Sequence, residues 1–578
     1  MSCHALHFFK ESAMKEIYEL TSRNDLADFL EISRGRLTYI LYIKKTDSYY
    51  KPFKIPKKCG EDREISAPTG DLKFVQIKLL QNLIKYQETI KKKYGIKTNI
   101  SHGFEKNKSI ITNATIHRNK RYILNIDLQN FFDSFHFGRV RGFFLKNKYL
   151  TLPLEVATVL AQLTCYKGGL PQGAPTSPII TNFICRILDN RLLKIAKKYK
   201  LDYTRYADDL SFSTNDKHFI ESYKNFIDEL KKEIEHSGFH INDKKTRLLF
   251  KDSRQTVTGL IVNKNLNVSQ EYYRKTRAMA HALYVKGTFS IDGKDGTLNQ
   301  LEGRFSFINQ LALYNNKLNG EKHTLKTLTG REREFQRFLF YKYFYCNDYP
   351  IIMTEGKTDI RYLKAALKTL HASYPNLIEK EVNDKFKFYI YFFKRTKRIK
   401  YFLGLHDGGD NLGSICNYFI SMEKDTYPNY FEYFSNIGIY PQKPIILLFD
   451  NELESNRPLK KFITKFAKER IHELKNNLWI KLKEEMNIYI VTNDLVDNLE
   501  ECEIEQLFPE EIRNHKIDGK TFCLKEKEFS PQKNYGKEIF SSYIMSQRDE
   551  EVFSGFCDLL NRINSIVTSY TPYAIKNT

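Results

Sequence analysis

Three aspartates have the side chains and the positions that divalent-cation chemistry requires. Asp208 and Asp209 are adjacent in "RYADDLSF" (205–212), a run whose other residues favour a β-strand. Asp127 lies near the end of an earlier strand-like run, "RYILNIDL" (121–128). Adjacent carboxylates repel each other and resist burial, so a fold that holds them together needs a cation between them. Three carboxylates around one point would provide the hard oxygen ligands that Mg²⁺ prefers.

The elements around these aspartates must bring them to one place. The segment 201–214 is typical of a β-hairpin with the adjacent pair at its tight turn. Segments 153–164 and 176–199 show the apolar spacing of helices. Helices that alternate with strand pairs indicate an α+β fold, in which the strand of Asp127 would lie beside the hairpin. Two cations about 3.5–4 Å apart would then support two-metal phosphoryl transfer, whereas an isolated aspartate pair would only cap a surface turn.

Three motifs in order resemble the palm of reverse transcriptases. They are Asp127 in "DLQNFF", the loop and helix start "LPQGAPTSP" (170–178) and "YADD" (206–209). The resemblance implies a right-hand polymerase of fingers, palm and thumb over residues 1–315. It also implies that the three aspartates are catalytic and bind two Mg²⁺ ions.

Other segments match further motifs of the same family. "IPKKCGEDREISAP" (55–68) resembles the fingers motif that meets the incoming triphosphate, and "SHGFEKNKSI" (101–110) resembles the second fingers motif. "SGFHINDKKTRL" (237–248) resembles the motif that follows the palm hairpin. Phe132 matches the steric-gate position, which implies a preference for deoxynucleotides. The nucleotide-binding residues implied by the resemblance are Lys57 or its neighbour Lys58, Arg63, Phe132, Gln172, Gly173 and Lys244, with Lys245 near the phosphates.

Two short segments resemble the signatures of retron reverse transcriptases. "NATIH" (113–117) precedes the strand of Asp127, and "VTG" (257–259) precedes the expected thumb. The resemblance implies that a structured noncoding RNA (msr-msd) is both template and 2'-hydroxyl primer, and that dNTPs are joined into branched, RNA-linked msDNA. The segment 271–287 predicts a basic helix with tyrosines for stacking, or else an ordinary amphipathic core helix. The expected RNA-binding residues are Asn113, His117, Val257, Thr258, Gly259, Arg274, Lys275 and Arg277, with Tyr272 and Tyr273.

The second half of the chain places acids after two buried-type strands. "PIIMT" (350–354) runs into Glu355, and "KPIILLFD" (443–450) ends at Asp450. Acids at the carboxyl ends of parallel strands meet at one edge of an α/β sheet. The pattern resembles the Toprim domain, although Glu452 stands where that family has aspartate. The resemblance implies a nuclease with one or two Mg²⁺ ions held by Glu355, Asp450 and Glu452, and it adds Gly356, Asp359, Glu505, Lys537 and the glycine-bearing loop 404–413.

Composition limits the classes of function. The chain has 92 Lys+Arg and 69 Asp+Glu, a net charge of +23, and most of this excess lies in residues 1–300. A polyanion-binding surface is therefore expected in the first half. The nine cysteines form no C-x-x-C pair, which argues against a zinc ribbon and a disulfide framework. The sequence shows neither a long apolar run nor a signal peptide, so we expect a cytoplasmic protein without a membrane partner.

We expect three segments: a reverse transcriptase (1–315), a linker with a connecting helix (316–349) and an α/β Toprim domain with a C-terminal extension (350–578). The expected function is a retron RNA-directed DNA polymerase fused to a Toprim nuclease effector that acts in antiphage defence. Two alternatives stay open. The Toprim domain would be a non-catalytic binding module, or the chain would be a mobile-element or maturase-type reverse transcriptase. The nucleic-acid target of the Toprim domain and self-association as a homo-oligomer are also open.

Overall fold

The computed structural model describes residues 16–56, 60, 62–96, 99–420, 426–496, 499–524 and 528–573. The chain divides into two units, Met1–Ser269 and Gln270–Thr578, and each is described by itself. The expected functional boundaries at residues 315 and 350 stay predictions. In the part of the chain that the structure describes, no helix has both the length and the apolar character needed to cross a bilayer.

The first unit surrounds a mainly antiparallel sheet with helices. Its helices are α1 (Arg23–Phe29), α2 (Arg34–Thr38), which continues into a π-helix (Tyr39–Ile43), α3 (Gly70–Lys93), α4 (Ile110–Ile116), α5 (Phe137–Lys146), α6 (Leu154–Thr164), α7 (Ser177–Lys198) and α8 (Phe219–His236). Its strands are β1 (Tyr50–Pro56), β2 (Asp62–Pro68), β3 (Tyr122–Gln129), β4 (Asp202–Tyr206), β5 (Asp209–Thr214), β6 (His240–Ile241), β7 (Arg247–Phe250), β8 (Thr256–Val257) and β9 (Leu260–Ile261).

The central sheet has the order β4-β5-β3-β6, and β7 also pairs with β3. The predicted strand at 121–128 is β3, and the predicted hairpin at 201–214 supplies β4 at the sheet edge and β5 beside β3. Leu124, Ile126 and Leu128 are buried on β3, where apolar side chains alternate with more exposed ones. This burial fixes β3 in the core. The end of β3 that carries Asp127 lies beside the hairpin.

The second unit is organised around a five-stranded sheet. Its helices are α9 (Gln270–Lys286), α10 (Leu298–Asn319), α11 (Gly330–Phe344), α12 (Lys357–Thr369), α13 (Lys397–Leu403), α14 (Gly409–Leu412), α15 (Asn417–Ile420), α16 (Tyr430–Ser435), α17 (Pro458–Phe466), α18 (Ile471–Asn477), α19 (Glu510–Arg513), α20 (Lys537–Ile544) and α21 (Cys557–Ser569). Its strands are β10 (Ser290–Ile291), β11 (Lys294–Asp295), β12 (Ile351–Thr354), β13 (Ile378–Lys380), β14 (Phe386–Phe388), β15 (Tyr391–Phe392), β16 (Ile445–Phe449), β17 (Trp479–Lys481), β18 (Ile488–Thr492), β19 (Thr521–Phe522) and β20 (Asn534–Tyr535).

The large sheet of this unit has the order β15-β12-β16-β18-β17, with β12, β15, β16 and β18 parallel. Every residue of β12, β16 and β18 is buried, as expected for parallel strands covered on both faces. The strands predicted before Glu355 and Asp450 are therefore present and adjacent. Helix α10 buries Leu301, Phe305, Ile308 and Leu311 and continues as far as Asn319, within the segment expected to be a linker.

Candidate functional site

Asp127 and Asp209 are direct partners in the central sheet. The antiparallel register of β3 and β5 pairs Asp127 with Asp209. Tyr206 pairs with Asp209 across the hairpin, so Ala207 and Asp208 are the two turn residues and Asp209 is the first residue of β5. The Leu128 amide donates to the Asp208 carbonyl at 3.0 Å, which ties the turn to β3. The structure thus brings the three predicted carboxylates together, although only Asp208 lies in the turn itself.

Burial and mutual repulsion raise the pKa values of two of the three acids, Asp208 and Asp209. Burial raises the pKa of Asp209 to about 7, and the neighbouring Asp208 and Asp127 carboxylates add to this effect. Burial also raises the pKa of Asp208, while the charges of Lys245 and Arg63 oppose the rise. The half-buried carboxylates of Asp208 and Asp209, whose pKa values are raised, favour binding of a cation, and the all-oxygen donor set suits Mg²⁺.

Lys245 holds Asp127 directly. Its Nζ lies 3.1 Å from Asp127 Oδ1 and 3.0 Å from Oδ2, and Asn242 Nδ2 donates to Oδ1 at 3.1 Å. Among the described residues, no group of three acidic, histidine or cysteine side chains has the arrangement of a formed metal site. Lys244, the predicted nucleotide-binding lysine, is exposed. Lys245 is therefore the member of this pair that contacts the acids.

A buried ion pair supports the turn from behind. The Arg205 side chain is fully buried, and its Nε and Nη2 donate to Asp189 Oδ1 and Oδ2, both at 2.8 Å. Its Nη1 donates to the Ala207 carbonyl at 3.2 Å, and Ala207 has a positive φ of 56°. The pair therefore stabilises an unfavourable backbone conformation beside Asp208. Neither Asp189 nor Arg205 was among the predicted site residues, because only the folded chain brings them together.

The segment 101–110 packs against the same turn. A Cβ on Gly103 would lie 2.6 Å from the Ala207 amide nitrogen, so only glycine allows this approach. Asn182 Nδ2 donates to the Gly103 carbonyl at 2.8 Å, and the His102 amide donates to the Arg205 carbonyl at 2.8 Å. The second predicted fingers motif therefore positions the turn through its backbone.

The loop 170–178 docks on β2. The Ser66 amide donates to the Gln172 carbonyl at 2.8 Å. Gly173 has a φ of 114°, and a Cβ there would lie 2.7 Å from Ile65 Cγ2. Arg63 on the same strand is exposed, and its charge acts on Asp208. Lys57 and Lys58 lie outside the described residues.

Phe132 follows β3 in a short 3-10 helix (Phe132–Ser134). The ring is half-buried and packs edge-to-face on Phe131, with 5.5 Å between the ring centroids. Phe132 therefore lies three residues after the end of β3, the strand that carries Asp127.

The first predicted RNA signature is buried. His117 exposes none of its surface, and its Nδ1 and Nε2 lie 2.7 Å from Ser213 Oγ and 2.7 Å from Thr204 Oγ1. Burial lowers the pKa of His117 to about 3, so the ring is neutral. Asn113 is also fully buried. Neither side chain presents a surface to RNA in this structure, which corrects the expectation of direct contact and points to a structural role beneath the sheet.

The second predicted RNA signature lies at the surface. Thr258 and Gly259 form the two-residue turn between β8 and β9, and both have positive φ. Thr258 Oγ1 donates to the Ile110 carbonyl at 3.5 Å, so the turn packs on the helix of the first signature, while Val257 is buried. An open groove of about 400 Å³ is lined by Thr258, Gly259 and Asp209. Lys245 and Arg247 also line this groove.

Helix α9 combines an apolar face with a basic one. Thr276, Ala280, Leu283 and Tyr284 are buried, while Arg274, Lys275 and Arg277 are exposed. The Arg304 guanidinium lies 4.0 Å from the Tyr272 ring centroid, and Arg331 lies 4.7 Å from that of Tyr273. Each interpretation of α9 thus concerns a different face. The core-helix interpretation concerns the buried apolar face, and the RNA-binding interpretation concerns the exposed basic face. Sequence reasoning missed Arg304 and Arg331, which come from other helices.

Glu355 and Asp450 meet at the carboxyl end of the parallel sheet in the second unit. Glu355 Oε1 accepts a hydrogen bond from the Asp450 amide at 3.2 Å, and Asp450 Oδ1 accepts one from the Ile504 amide at 2.8 Å. Burial raises the pKa of Glu355 to about 7 and that of Asp450 well above its ordinary value. The loop 404–413 packs on Glu355 through Gly409, where a Cβ would clash with Glu355 Oε2.

The other predicted residues of this edge have distinct positions. Asp359 caps α12 by accepting the Gly356 amide at 2.8 Å, and its charge raises the pKa of Asp450. Glu505 is fully buried, with Lys537 Nζ 3.0 Å from its Oε2. Glu452 is buried and faces Arg457, with 3.5 Å between Glu452 Oε1 and Arg457 Nε. The charge of Lys537 acts on Glu355, Asp450, Glu452 and Glu505, and carboxylate donors suit Mg²⁺.

The comparisons with known proteins agree with the geometry of the first unit. A family model described as reverse transcriptase (RNA-dependent DNA polymerase) matches residues 55–267. The retron Ec86 reverse transcriptase of Escherichia coli is 33% identical over 292 residues, which cover 50% of this chain and 84% of that protein. The retron Mx162 reverse transcriptase of Myxococcus xanthus is 33% identical over 320 residues, covering 50% of this chain and 64% of that protein.

Among solved structures, apo telomerase from Candida tropicalis aligns with 50% of this chain and 60% of that chain at 13% identity. Its TM-score of 0.30 is too low to support a conclusion about the fold. The family is instead shown by the extent of the match to the E. coli relative. The chain belongs to the retron reverse transcriptases, which are RNA-directed DNA polymerases.

Proposed function

We propose that Asp127, Asp208 and Asp209 form the catalytic centre for DNA synthesis on a retron noncoding RNA. The observation that carries the proposal is the register that pairs Asp127 with Asp209 and places Asp208 in the adjoining turn. Two Mg²⁺ ions bound by these carboxylates would supply the positive charge that favours attack by a primer hydroxyl and departure of pyrophosphate. The product would be branched, RNA-linked msDNA made from dNTPs.

The residues around the acids have separate roles in this proposal. Phe132 would exclude the ribose 2'-hydroxyl of an incoming nucleotide, because its half-buried ring follows the strand of Asp127. Arg63 would meet the triphosphate, since its charge already acts on Asp208. The groove lined by Thr258, Gly259 and Asp209 would receive the RNA that offers the priming 2'-hydroxyl. The exposed basic face of α9 would hold the folded RNA.

The test is to purify the protein from its native locus and to identify the nucleic acid that accompanies it. We expect wild type to carry RNA-linked DNA and Asp208→Asn to carry RNA alone. Asp202→Asn is the matched control, because this exposed aspartate lies on the same hairpin and forms an ion pair with Lys120 at 2.5 Å. DNA that persists in Asp208→Asn at wild-type amounts contradicts the proposal. A retron-type inverted-repeat RNA encoded beside the gene would exclude the mobile-element alternative.

A second activity is proposed for the second unit. Glu355 and Asp450 lie at adjoining ends of parallel strands and are linked by a 3.2 Å hydrogen bond, as a Toprim-like site would require. We propose that these acids, with Asp359 and Glu452 nearby, serve metal-dependent cleavage of phosphodiesters. In antiphage defence, the RNA–DNA product would restrain this activity until infection.

Glu355→Gln tests this second activity. We expect the variant to retain msDNA synthesis and to lose phage protection or toxicity. Glu432→Gln, an exposed glutamate at the start of α16, is the control. Protection at the wild-type level in Glu355→Gln would favour the alternative of a non-catalytic binding module.

A further inference from the structure

Two lysines of α12, Lys364 and Lys368, form a group of positive charges with Lys394, which follows β15. The charged groups that act on Lys364 are Lys394 and Lys368, and together with burial they lower its pKa. Among the described residues, no carboxylate forms an ion pair with any of these lysines. We refer to Lys364, Lys368 and Lys394 as the lysine face. Lys364 and Lys368 are half-buried and Lys394 is exposed, and repulsion among such cations is unfavourable unless an anion lies between them.

Aromatic rings hold the lysine side chains in place. Lys364 Nζ lies 5.2 Å from the ring centroid of Phe392, and Lys368 Nζ lies 5.8 Å from that of Phe386. The face of an aromatic ring attracts an ammonium group, but unlike a carboxylate it does not accept the N–H···O hydrogen bonds of that group. The ammonium donors therefore stay available to an anionic ligand.

Acidic residues near this face are engaged elsewhere. Asp384 pairs with Lys380 at 2.9 Å across the β13–β14 hairpin. Glu379 on β13 accepts a hydrogen bond from the Tyr389 hydroxyl. These two acids of the neighbouring hairpin therefore have partners other than Lys364, Lys368 and Lys394.

The lysine face begins beside the acid cluster. β15 runs parallel to β12 with Phe392 level with Ile352, so Lys394 is level with Thr354, the residue before Glu355. Arg395 Nη2 donates to the Thr354 carbonyl at 2.7 Å, which fixes this end of the segment. α12 starts at Lys357, and Lys364 and Lys368 follow along it about 10 Å and 16 Å from its start.

We propose that the lysine face binds consecutive phosphate groups of a single nucleic-acid strand and directs that strand toward Glu355 and Asp450. Point charges on flexible stems suit a phosphate backbone, and the half-exposed ring of Phe386 offers a base a stacking surface. The binding is independent of the second proposed activity. Only the fate of the bound strand rests on that proposed activity.

Residue-resolved lysine labelling tests the proposal in the full chain with its copurified RNA in place. The protein is treated with an acetylating reagent, alone or with oligothymidylate, oligouridylate or a DNA duplex, and each lysine is quantified by mass spectrometry. We expect the single strands to slow acetylation of Lys364, Lys368 and Lys394, but not of the exposed Lys468 and Lys483. Three phosphate contacts predict about a twentyfold loss of affinity for a fourfold rise in salt.

Charge reversal provides the second measurement. Lys364→Glu with Lys368→Glu should abolish protection of Lys394, whereas Lys468→Glu with Lys483→Glu should preserve it. Equal labelling with and without either single strand overturns the proposal, and so does protection by the duplex alone. Protection that persists in Glu355→Gln without any cleavage by wild type supports the lysine face and refutes the nuclease. Cleavage by wild type without protection of the three lysines supports the nuclease and refutes the lysine face.

Discussion

Arg205 and Asp189 form a bidentate ion pair inside the first unit, with both N–H···O distances at 2.8 Å. Helix α7 supplies the aspartate, and strand β4 supplies the arginine just before the turn of Ala207 and Asp208. The arginine also donates to the Ala207 carbonyl. The conformation of the proposed catalytic turn therefore depends on a pair that does not itself face the substrate.

Asp189→Asn should destabilise the first unit and impair DNA synthesis. Removal of one partner leaves the fully buried Arg205 charge uncompensated, at a cost of about 3–5 kcal/mol. Urea titration would measure the loss of unfolding free energy. Asp202→Asn removes the exposed partner of Lys120 and should cost at most about 1 kcal/mol. Equal midpoints for the two variants would contradict the role assigned to the buried pair.

Gly103→Ala should impair catalysis more than folding. The added Cβ would lie 2.6 Å from the Ala207 amide nitrogen, so the turn that carries Asp208 must shift. A displacement of about 1 Å in such a site costs about 100-fold in rate, measured as dNTP incorporation. Gly142→Ala on α5 meets no atom within 4 Å and should leave the rate unchanged. Similar rates for both variants would show that the turn tolerates displacement.

The carboxylates could be predicted from sequence, whereas their supports could not. Strand alternation and the adjacent aspartates gave local signals for β3 and the hairpin, and the sheet pairs Asp127 with Asp209 as the strand order suggested. Arg205 and Asp189 are far apart in the chain, and only packing of α7 on β4 brings them together. The contact of Gly103 with Ala207 likewise arises from tertiary structure.

Tertiary structure that the sequence does not report also explains why His117 is buried and not in contact with RNA as expected. A short signature reports residue types but not burial, and this histidine is held under the sheet by Ser213 and Thr204. In the second unit, the apolar runs of β12 and β16 predicted buried strands that end at Glu355 and Asp450. The lysine face had no sequence signal, because Lys394 joins Lys364 and Lys368 only through the parallel pairing of β15.

His117 should make the first unit sensitive to acid. Burial lowers the pKa of His117 from the ordinary 6.5 to about 3. Between pH 6.5 and pH 3, the unfolded chain therefore binds a proton at this residue and the folded chain does not. Stability should therefore fall as the pH drops from 6.5 toward 3, by up to about 1.4 kcal/mol per pH unit from this group. His102, whose pKa burial lowers to about 4, acts in the same direction.

His117→Gln separates this contribution from other titrations. The variant loses two buried hydrogen bonds and should be less stable than wild type at neutral pH, by about 1–3 kcal/mol. Because glutamine does not titrate, this difference should narrow as the pH falls. His240→Gln replaces an exposed histidine on β6 and should follow wild type throughout. A constant difference between His117→Gln and wild type would refute the assigned protonation behaviour.

Lys537→Gln should destabilise the second unit through the acids that it leaves behind. Lys537 Nζ lies 2.9 Å from Glu503 Oε2 and 3.0 Å from Glu505 Oε2, and Glu505 is fully buried. Loss of the cation leaves that carboxylate uncompensated, at a cost of about 3 kcal/mol in urea unfolding. Lys461→Gln, which removes an exposed pair with Asp410, should cost less than about 1 kcal/mol. If Glu505→Gln combined with Lys537→Gln fails to recover stability, the loss has a cause other than the buried charge.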